Sequence, residues 1–376
     1  MINRITNPLY LLLGLSLFAT TLKAANIPTS KTTDHYRLET RVDDVSIPWG
    51  MVLLSDGSLL YSERKGAMYR IGADGKKKKI KGLPDIVAKG QGGLLDIHLH
   101  PDYANNGWIY YAYSSPEGKG RGSNTAIARA KLKNDQLTEQ QVLYKASPNS
   151  TRGHHFGSRI SFDKQGFLYF SIGDRGDRDT LPQDIKLDGG KIYRLHDDGR
   201  IPKDNPFVKD ASAKKAIFSY GHRNPQGMAK HPQTGAIWTH EHGPRGGDEI
   251  NVISKGLNYG WPVISYGINY NGTRFTDITH KEGMQQPLWH WTPSIAPSGM
   301  VFVTSERYPE WKGHLLVGSL KFGYLVLCKL EGNKVVSQEV VLDKLGRVRN
   351  IIEAADGYLY VATDNGKIAR IIHTAP

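Results

Sequence analysis

Short apolar and polar residues alternate along most of this chain, in runs such as 109–113 and 359–363 that Gly, Asp and Pro bound on both sides. Spacing at three and four residues, the mark of an amphipathic helix, is poor throughout. A unit of turn-formers followed by an aliphatic or aromatic strand recurs six times. It reads Asp56-Gly57-Ser58-Leu59-Leu60-Tyr61, then His100-Pro101-Asp102 leading into Trp108-Ile109-Tyr110, then Asp163-Lys164-Gln165-Gly166-Phe167-Leu168-Tyr169. It returns as His231-Pro232-Gln233-Thr234-Gly235-Ala236-Ile237-Trp238, as Tyr308-Pro309-Glu310 leading into Leu315-Leu316-Val317, and as Asp356-Gly357-Tyr358-Leu359-Tyr360. Measured at positions 56, 102, 163, 233, 310 and 356, successive units lie 46, 61, 70, 77 and 46 residues apart, near the length of a four-stranded blade with insertions in the middle of the chain. The pattern predicts an all-β, six-bladed β-propeller of four-stranded antiparallel blades, with each unit forming the inner hairpin of one blade. A two-domain α/β protein lacks the helical period it would need, and a pair of β-sandwiches would not produce six similar units. Propeller sites gather from loops remote in sequence.

The first residues read differently. Arg4 precedes an apolar run from Leu9 to Phe18, and small residues follow at Ala24 and Ala25. This predicts a secretory signal peptide over 1–25 and a single propeller domain over 26–376, in a periplasmic or secreted product. The run falls short of the roughly 20 residues of a spanning helix, so no integral membrane segment is expected after cleavage. Composition adds limits: 376 residues with 39% apolar and 23% charged content exclude disorder, collagen and a coiled coil, and 41 Gly with 19 Pro imply many turns. The net charge is +13, or +11 once Arg4 and Lys23 are gone. Lys76 to Lys79 reads as a solvated loop rather than a nucleic-acid patch, because no aromatic residue interleaves it. Cys328 is the one cysteine, which excludes an intramolecular disulfide; it reads as a buried small hydrophobe in a strand.

Phosphate-loop, nucleophile-elbow, zinc-helix and paired-cysteine fingerprints are missing, which weakens nucleotide-dependent and common hydrolase chemistries. Gly90-Gln91-Gly92-Gly93 predicts a tight turn exposing Gln91. His155 lies just before a strand and Asp174 at that strand's far end, so a base and a carboxylate that orients it could meet there. Asp174, Asp177 and Asp179 match a calcium loop only loosely, since its Gly and distal Glu are misplaced. Gly221-His222-Arg223-Asn224 puts a fixed cation and an amide into a turn suited to carbonyl or carboxylate oxygen. In 240–251, His240 and His242 share a strand face that suits zinc or copper, while the Gly243-Pro244 carbonyls suit a hard cation; spacing leaves both readings open. Arg347 and Arg349 alternate around Val348, which fits either one anion between them or two separate ion pairs, and Lys321 completes the set of cations.

Seven ordered segments carry a family resemblance: GQGGLLDIHLHPDY at 90–103, HFGSRISFD at 155–163, GHRNPQGM at 221–228, EHGPRGGDEIN at 241–251, NYGWP at 258–262, GSLK at 318–321 and GRVRN at 346–350. Together they resemble the soluble, pyrroloquinoline quinone (PQQ)-dependent aldose sugar dehydrogenases, relatives of soluble glucose dehydrogenase, across nearly the whole mature chain. The resemblance implies oxidation of aldoses at the anomeric carbon to lactones, with His155 as general base, hydride passing to the quinone C5, and electrons going on to an unidentified acceptor. It implies Asp174 as the partner of His155, Arg223 beside the reactive quinone carbonyl, Asn224 close to the cofactor, and Gln91 between cofactor and substrate. Lys321, Arg347 and Arg349 would hold the carboxylates of PQQ, and Tyr270 would form part of the cofactor wall. Gly243 and Pro244 would bind a catalytic Ca2+, with Glu249 and Tyr259 at a second, structural one. The protein would act as a monomer or homodimer, with an aldose as its partner and no nucleic acid. This sequence departs from the soluble glucose dehydrogenase branch at His154, where that branch is acidic, and at His242, where it has Gln; Ser158 replaces a frequent Gly. The expectation is therefore a broad aldose range rather than a glucose preference. A calcium-dependent lactonase, which needs no cationic clamp, and a non-catalytic glycan-binding propeller are the competing readings.

Overall fold

In the computed structural model, which describes residues 35–374, twenty-four strands form six antiparallel sheets of four. The innermost strands are Pro48–Leu53, Leu94–Leu99, Ile160–Phe162, Pro225–Lys230, Pro297–Phe302 and Val348–Glu353. Each packs against the next around a common axis, and the last meets the first. This is the six-bladed propeller that the repeat predicts. The sixth sheet takes its outer strand, Tyr36–Val42, from the other end of the described chain, paired from Tyr36 opposite His373 to Val42 opposite Ile368.

The recurring unit is the turn between the first and second strands of every blade, and its chemistry is local. Asp56, Asp163 and Asp356 each accept backbone N–H groups two residues on, at 2.9, 2.9 and 3.0 Å. In two other blades a histidine ring nitrogen does the same work: His100 accepts the Asp102 N–H at 2.9 Å, and His231 accepts that of Gln233 at 3.3 Å. A side-chain acceptor at that position ends the first strand and starts the return.

Sheet faces bury aromatic and branched side chains between neighbouring blades. Leu95, Tyr110, Phe162, Phe170 and Tyr193 fill one interface, and Trp238, Trp291, Phe302, Val317 and Val326 another. Cys328 is buried in the strand Leu325–Glu331, where burial pushes its thiol up to about 12. The lysine run differs from expectation. Lys77–Lys79 is a short edge strand, with Tyr69 opposite Lys79, and Lys78 pairs with Asp135 at 3.3 Å. A charged, exposed edge discourages pairing with another chain, which gives those lysines a structural task. Residues 1–25, where a signal peptide is expected, lie outside the described residues. Among the described residues no helix is long and apolar enough to cross a membrane.

Arg159 occupies the axis. Its guanidinium donates to the carbonyls of Gln226 at 2.6 Å and Arg349 at 3.0 Å and to Asp96 at 3.2 Å, and lies 4.1 Å from the Trp49 ring centre. Groups from five blades thus meet at one buried cation. Below it opens a cavity of about 420 Å³ with walls including Met51, Phe162, Met228 and Phe302; the residues singled out in the sequence lie at the opposite end.

Candidate active site

The chain before the third inner strand turns sharply, with φ at +56° for His155, +62° for Gly157 and +81° for Ser158. Gly157 has no substitute here, since a Cβ would sit 2.8 Å from the Gly173 nitrogen. The turn presents the His155 ring to Asp174, Nδ1 to Oδ1 at 2.6 Å, while the His155 N–H donates to the side-chain oxygen of the exposed Gln91 at 2.8 Å. Asp174 follows the strand Leu168–Ile172 and is 1% exposed. Its carboxylate also accepts the Gly176 N–H at 2.7 Å and the Trp261 indole N–H at 2.9 Å. Burial pushes the Asp174 carboxyl up, but the His155 hydrogen bond and the charges of His155 and Arg223 outweigh it and hold the group below the usual range. Burial holds His155 below its ordinary value, with Arg223 assisting and the Asp174 hydrogen bond opposing. A carboxylate at Nδ1 selects the tautomer that leaves Nε2 as the basic atom.

Two residues without a role in the sequence reading hold this pair. Trp261 is one. Arg175 is the other: buried and stacked 3.5 Å from the Phe156 ring centre, it donates to the carbonyls of His154, of Arg152 at 2.9 Å and of Ser123 at 3.3 Å. The His154 and Arg152 carbonyls lie in the loop that carries the base, so the guanidinium clamps that loop.

Arg223 and Asn224 sit between the third and fourth blades. The buried Glu241 carboxylate holds their turn, accepting from the His222 ring at 2.8 Å and the Arg223 N–H at 2.5 Å. The Arg223 guanidinium donates to the His242 carbonyl at 3.1 Å and lies 5.4 Å from the Trp261 ring centre. Asn224 accepts the Gly157 N–H at 3.2 Å. A cavity of about 580 Å³ takes in Gln91, His155, Asp174, Arg223, Pro244 and Tyr270, the last 72% exposed. Asp177 and Asp179 edge the same cavity, where they face Arg152 at 3.8 Å and Arg178 at 3.5 Å rather than forming a calcium loop. A second cavity of about 300 Å³ also includes Gln91 and reaches Asn224, His242, Arg64, Arg347 and Arg349.

Arg347 and Arg349 do have an anion between them, Asp364. Arg349 grips it with two bonds of 2.9 and 2.7 Å, and Arg347 adds one of 3.3 Å. Lys321 stands apart: it is exposed, its ammonium donates to the Ser294 carbonyl at 3.1 Å, and it lines neither cavity.

His240 and His242 bond to main-chain oxygens, of Gly299 at 3.2 Å and Pro297 at 2.7 Å, and burial holds both well below their ordinary values. Among the described residues no cluster of His, Cys, Asp and Glu has the makings of a zinc or copper site. The Gly243-Pro244 turn is tied by the Gly243 N–H to Asp248 at 2.8 Å, and the Pro244 carbonyl accepts the Ile268 N–H at 3.1 Å. Glu249 lies opposite Glu241 on the neighbouring strand, and burial together with that carboxylate pushes its carboxyl well above the usual range. Asn251 donates to Glu249 at 3.1 Å, while its own buried oxygen has no partner. Crowded carboxyl groups beside an orphaned amide oxygen suit a hard cation. The Tyr259 hydroxyl donates to the Val252 carbonyl at 2.5 Å and accepts the Ser254 N–H at 2.9 Å, and its main-chain N–H donates to the Tyr220 carbonyl at 2.8 Å, which leaves the main-chain carbonyl of Tyr259 for such an ion.

Comparison with known proteins places this site in context. The family model for glucose / sorbosone dehydrogenase matches residues 45–371. Aldose sugar dehydrogenase YliI of Escherichia coli is 38% identical over 343 residues, covering 89% of this chain and 92% of that one. The apo-form crystal structure of the soluble aldose sugar dehydrogenase from Escherichia coli superposes with a TM-score of 0.85 at 37% identity, covering 90% of this chain and 99% of that one. The PQQ-bound aldose sugar dehydrogenase from Streptomyces coelicolor gives 0.74 at 28% identity, covering 92% and 99%. With its family model matched across all six blades, this chain belongs to the glucose / sorbosone dehydrogenase family.

Proposed function

We propose that this protein oxidises aldoses at the anomeric carbon to lactones with PQQ and Ca2+ as cofactors. The observation that carries the reading is the His155–Asp174 pair, which opens onto the same cavity as the Arg223 guanidinium. PQQ, when bound, supplies the two-electron acceptor, and calcium supplies a positive charge beside it. His155 Nε2 takes the proton of the anomeric hydroxyl, and the Asp174 carboxylate stabilises the imidazolium this leaves. Arg223 offers a fixed positive charge to oxygen atoms in the cavity. Asn224, Arg347 and Arg349 would hold the quinone. The Gly243 and Pro244 carbonyls would take one calcium, and Glu249 with the Tyr259 main chain a second. Guanidinium groups suit the carboxylates of PQQ, which supports the fit. The pattern of Arg4, Leu9 to Phe18 and Ala24-Ala25 supports action in the periplasm or outside the cell.

The test is titration of calcium-loaded apoprotein with PQQ, followed by quinone absorbance, and then addition of a panel of aldoses. Saturable binding and sugar-dependent reduction are the expected result. Binding with no reduction by any aldose sinks the substrate assignment; no binding at all sinks the cofactor and returns the lactonase and glycan-binding readings.

The pH profile gives a second check. Because His155 is held below its ordinary value and must be neutral to accept a proton, the acid limb of kcat/KM should fall below the ordinary histidine value of about 6.5. Asp174 raises the pKa of His155, so Asp174→Asn should move that limb further toward acid while lowering the plateau. A limb at or above 6.5 in the native enzyme contradicts the assignment of His155 as the base.

A further inference from the structure

The 300 Å³ cavity holds a cation to which no role has been assigned. Arg347 and Arg349 share Asp364 as a counter-ion, and Lys321 lies outside the cavity. Arg64 lines the same space, half-buried, and among the described residues no carboxylate lies within ion-pair distance of it and no acceptor bonds its side chain. The fold fixes where this side chain starts. Arg64 directly follows the strand Leu59–Glu63; its N–H donates to the Ile47 carbonyl at 3.1 Å, and its carbonyl accepts the Leu94 N–H at 3.2 Å. The turn at Gly92-Gly93 closes over it: at Gly93, φ +153°, a Cβ would sit 1.7 Å from the Arg64 carbonyl oxygen and 3.0 Å from Arg64 Cγ. A side chain held this closely at its root, with its charge unanswered, is poised for an anion that arrives from outside. Burial and the charge of Arg349 pull its pKa down while Asp364 pulls it up, which places Arg64 in electrostatic reach of the arginine pair. Three guanidinium groups against one carboxylate leave a net charge of two in the cavity, a match for a polycarboxylate.

We propose that Arg64 is a carboxylate-binding residue of this cavity, gripping one carboxylate of PQQ while Arg347 and Arg349 are held in place by Asp364. The inference rests on the quinone reading above and adds to it a residue that acts in binding.

Equilibrium titration of apoprotein with PQQ at fixed calcium, with no sugar present, separates the two. Arg64→Gln should weaken Kd by about tenfold or more, the loss of a charged hydrogen bond, and Arg64→Lys should recover part of it. The trimethyl ester of PQQ, which lacks the anionic groups, should bind Arg64→Gln and the native protein alike. Thermal melting of each apoprotein checks that it folds, and Arg64→Lys keeps the test open if Arg64→Gln does not. Tight binding by the native protein with an unchanged Kd in Arg64→Gln overturns the role of Arg64 and leaves the quinone reading standing. So does an equal loss for the ester and the acid, which would mark a packing effect. Failure of the native protein to bind PQQ overturns the quinone reading, and the inference with it.

Discussion

Replacing His155 by alanine should lower kcat for aldose oxidation by about 10³-fold, while PQQ binding to the apoprotein and the melting midpoint stay close to native. Removing a positioned general base costs about 10²–10⁴ in rate, and Asp174 cannot substitute because its carboxylate is held below the usual range and is engaged by Gly176 and Trp261. The loop should survive the change. The imidazole gives the loop only its bond to Asp174, which keeps the Gly176 and Trp261 bonds, while the His155 main-chain N–H to Gln91 and the carbonyls that Arg175 grips remain. Stopped-flow reduction under single turnover isolates the chemical step. A variant that keeps native kcat would remove His155 from the mechanism, whereas one that loses PQQ affinity in proportion would make His155 a binding residue.

The fold was legible because its signal is local. Five of the six inner hairpins are set by an Asp or His acceptor two residues before the N–H it takes, so the same local chemistry recurs in sequence and in space. The His155–Asp174 contact was within reach of sequence reasoning for a related reason, since both residues flank strands that pair in one blade. Trp261 and Arg175 were not. The indole meets Asp174 across 87 positions, and Arg175 looks like one more charge in a polar turn until its three carbonyl partners are seen. Arg64 follows a strand end in Ser62-Glu63-Arg64-Lys65-Gly66, a context indistinguishable from a solvated turn. The alternation at Arg347 and Arg349 fitted a shared anion or two separate ion pairs equally, and nothing in it points to Asp364, seventeen and fifteen positions on, as the anion they share. Lys76 to Lys79 misled because a run of charge carries no sign of pairing; its strand exists through the ladder from Tyr69 to Ile71.

Arg159→Met should cost about 3–5 kcal/mol of stability, lowering the melting midpoint by roughly 4–7 °C in a chain of this length. The guanidinium is 3% exposed and answers the buried Asp96, which also accepts the Ile160 N–H at 3.0 Å. Removing only the cation strands a carboxylate inside the ring of inner strands and frees the carbonyls of Gln226 and Arg349. Burial already raises the pKa of Asp96, with Arg159 opposing, so the variant raises it further. A carboxyl group that titrates higher folded than unfolded loses stability as pH rises through that interval. The deficit of Arg159→Met should therefore be widest at neutral pH and narrow as acid protonates Asp96. Adding Asp96→Leu should restore much of the loss, because replacing both members of a buried pair by apolar groups costs far less than removing one. If the double variant melts as low as Arg159→Met, the stranded charge is not the cause, and the cost lies in the carbonyls and the Trp49 stacking that the guanidinium leaves behind.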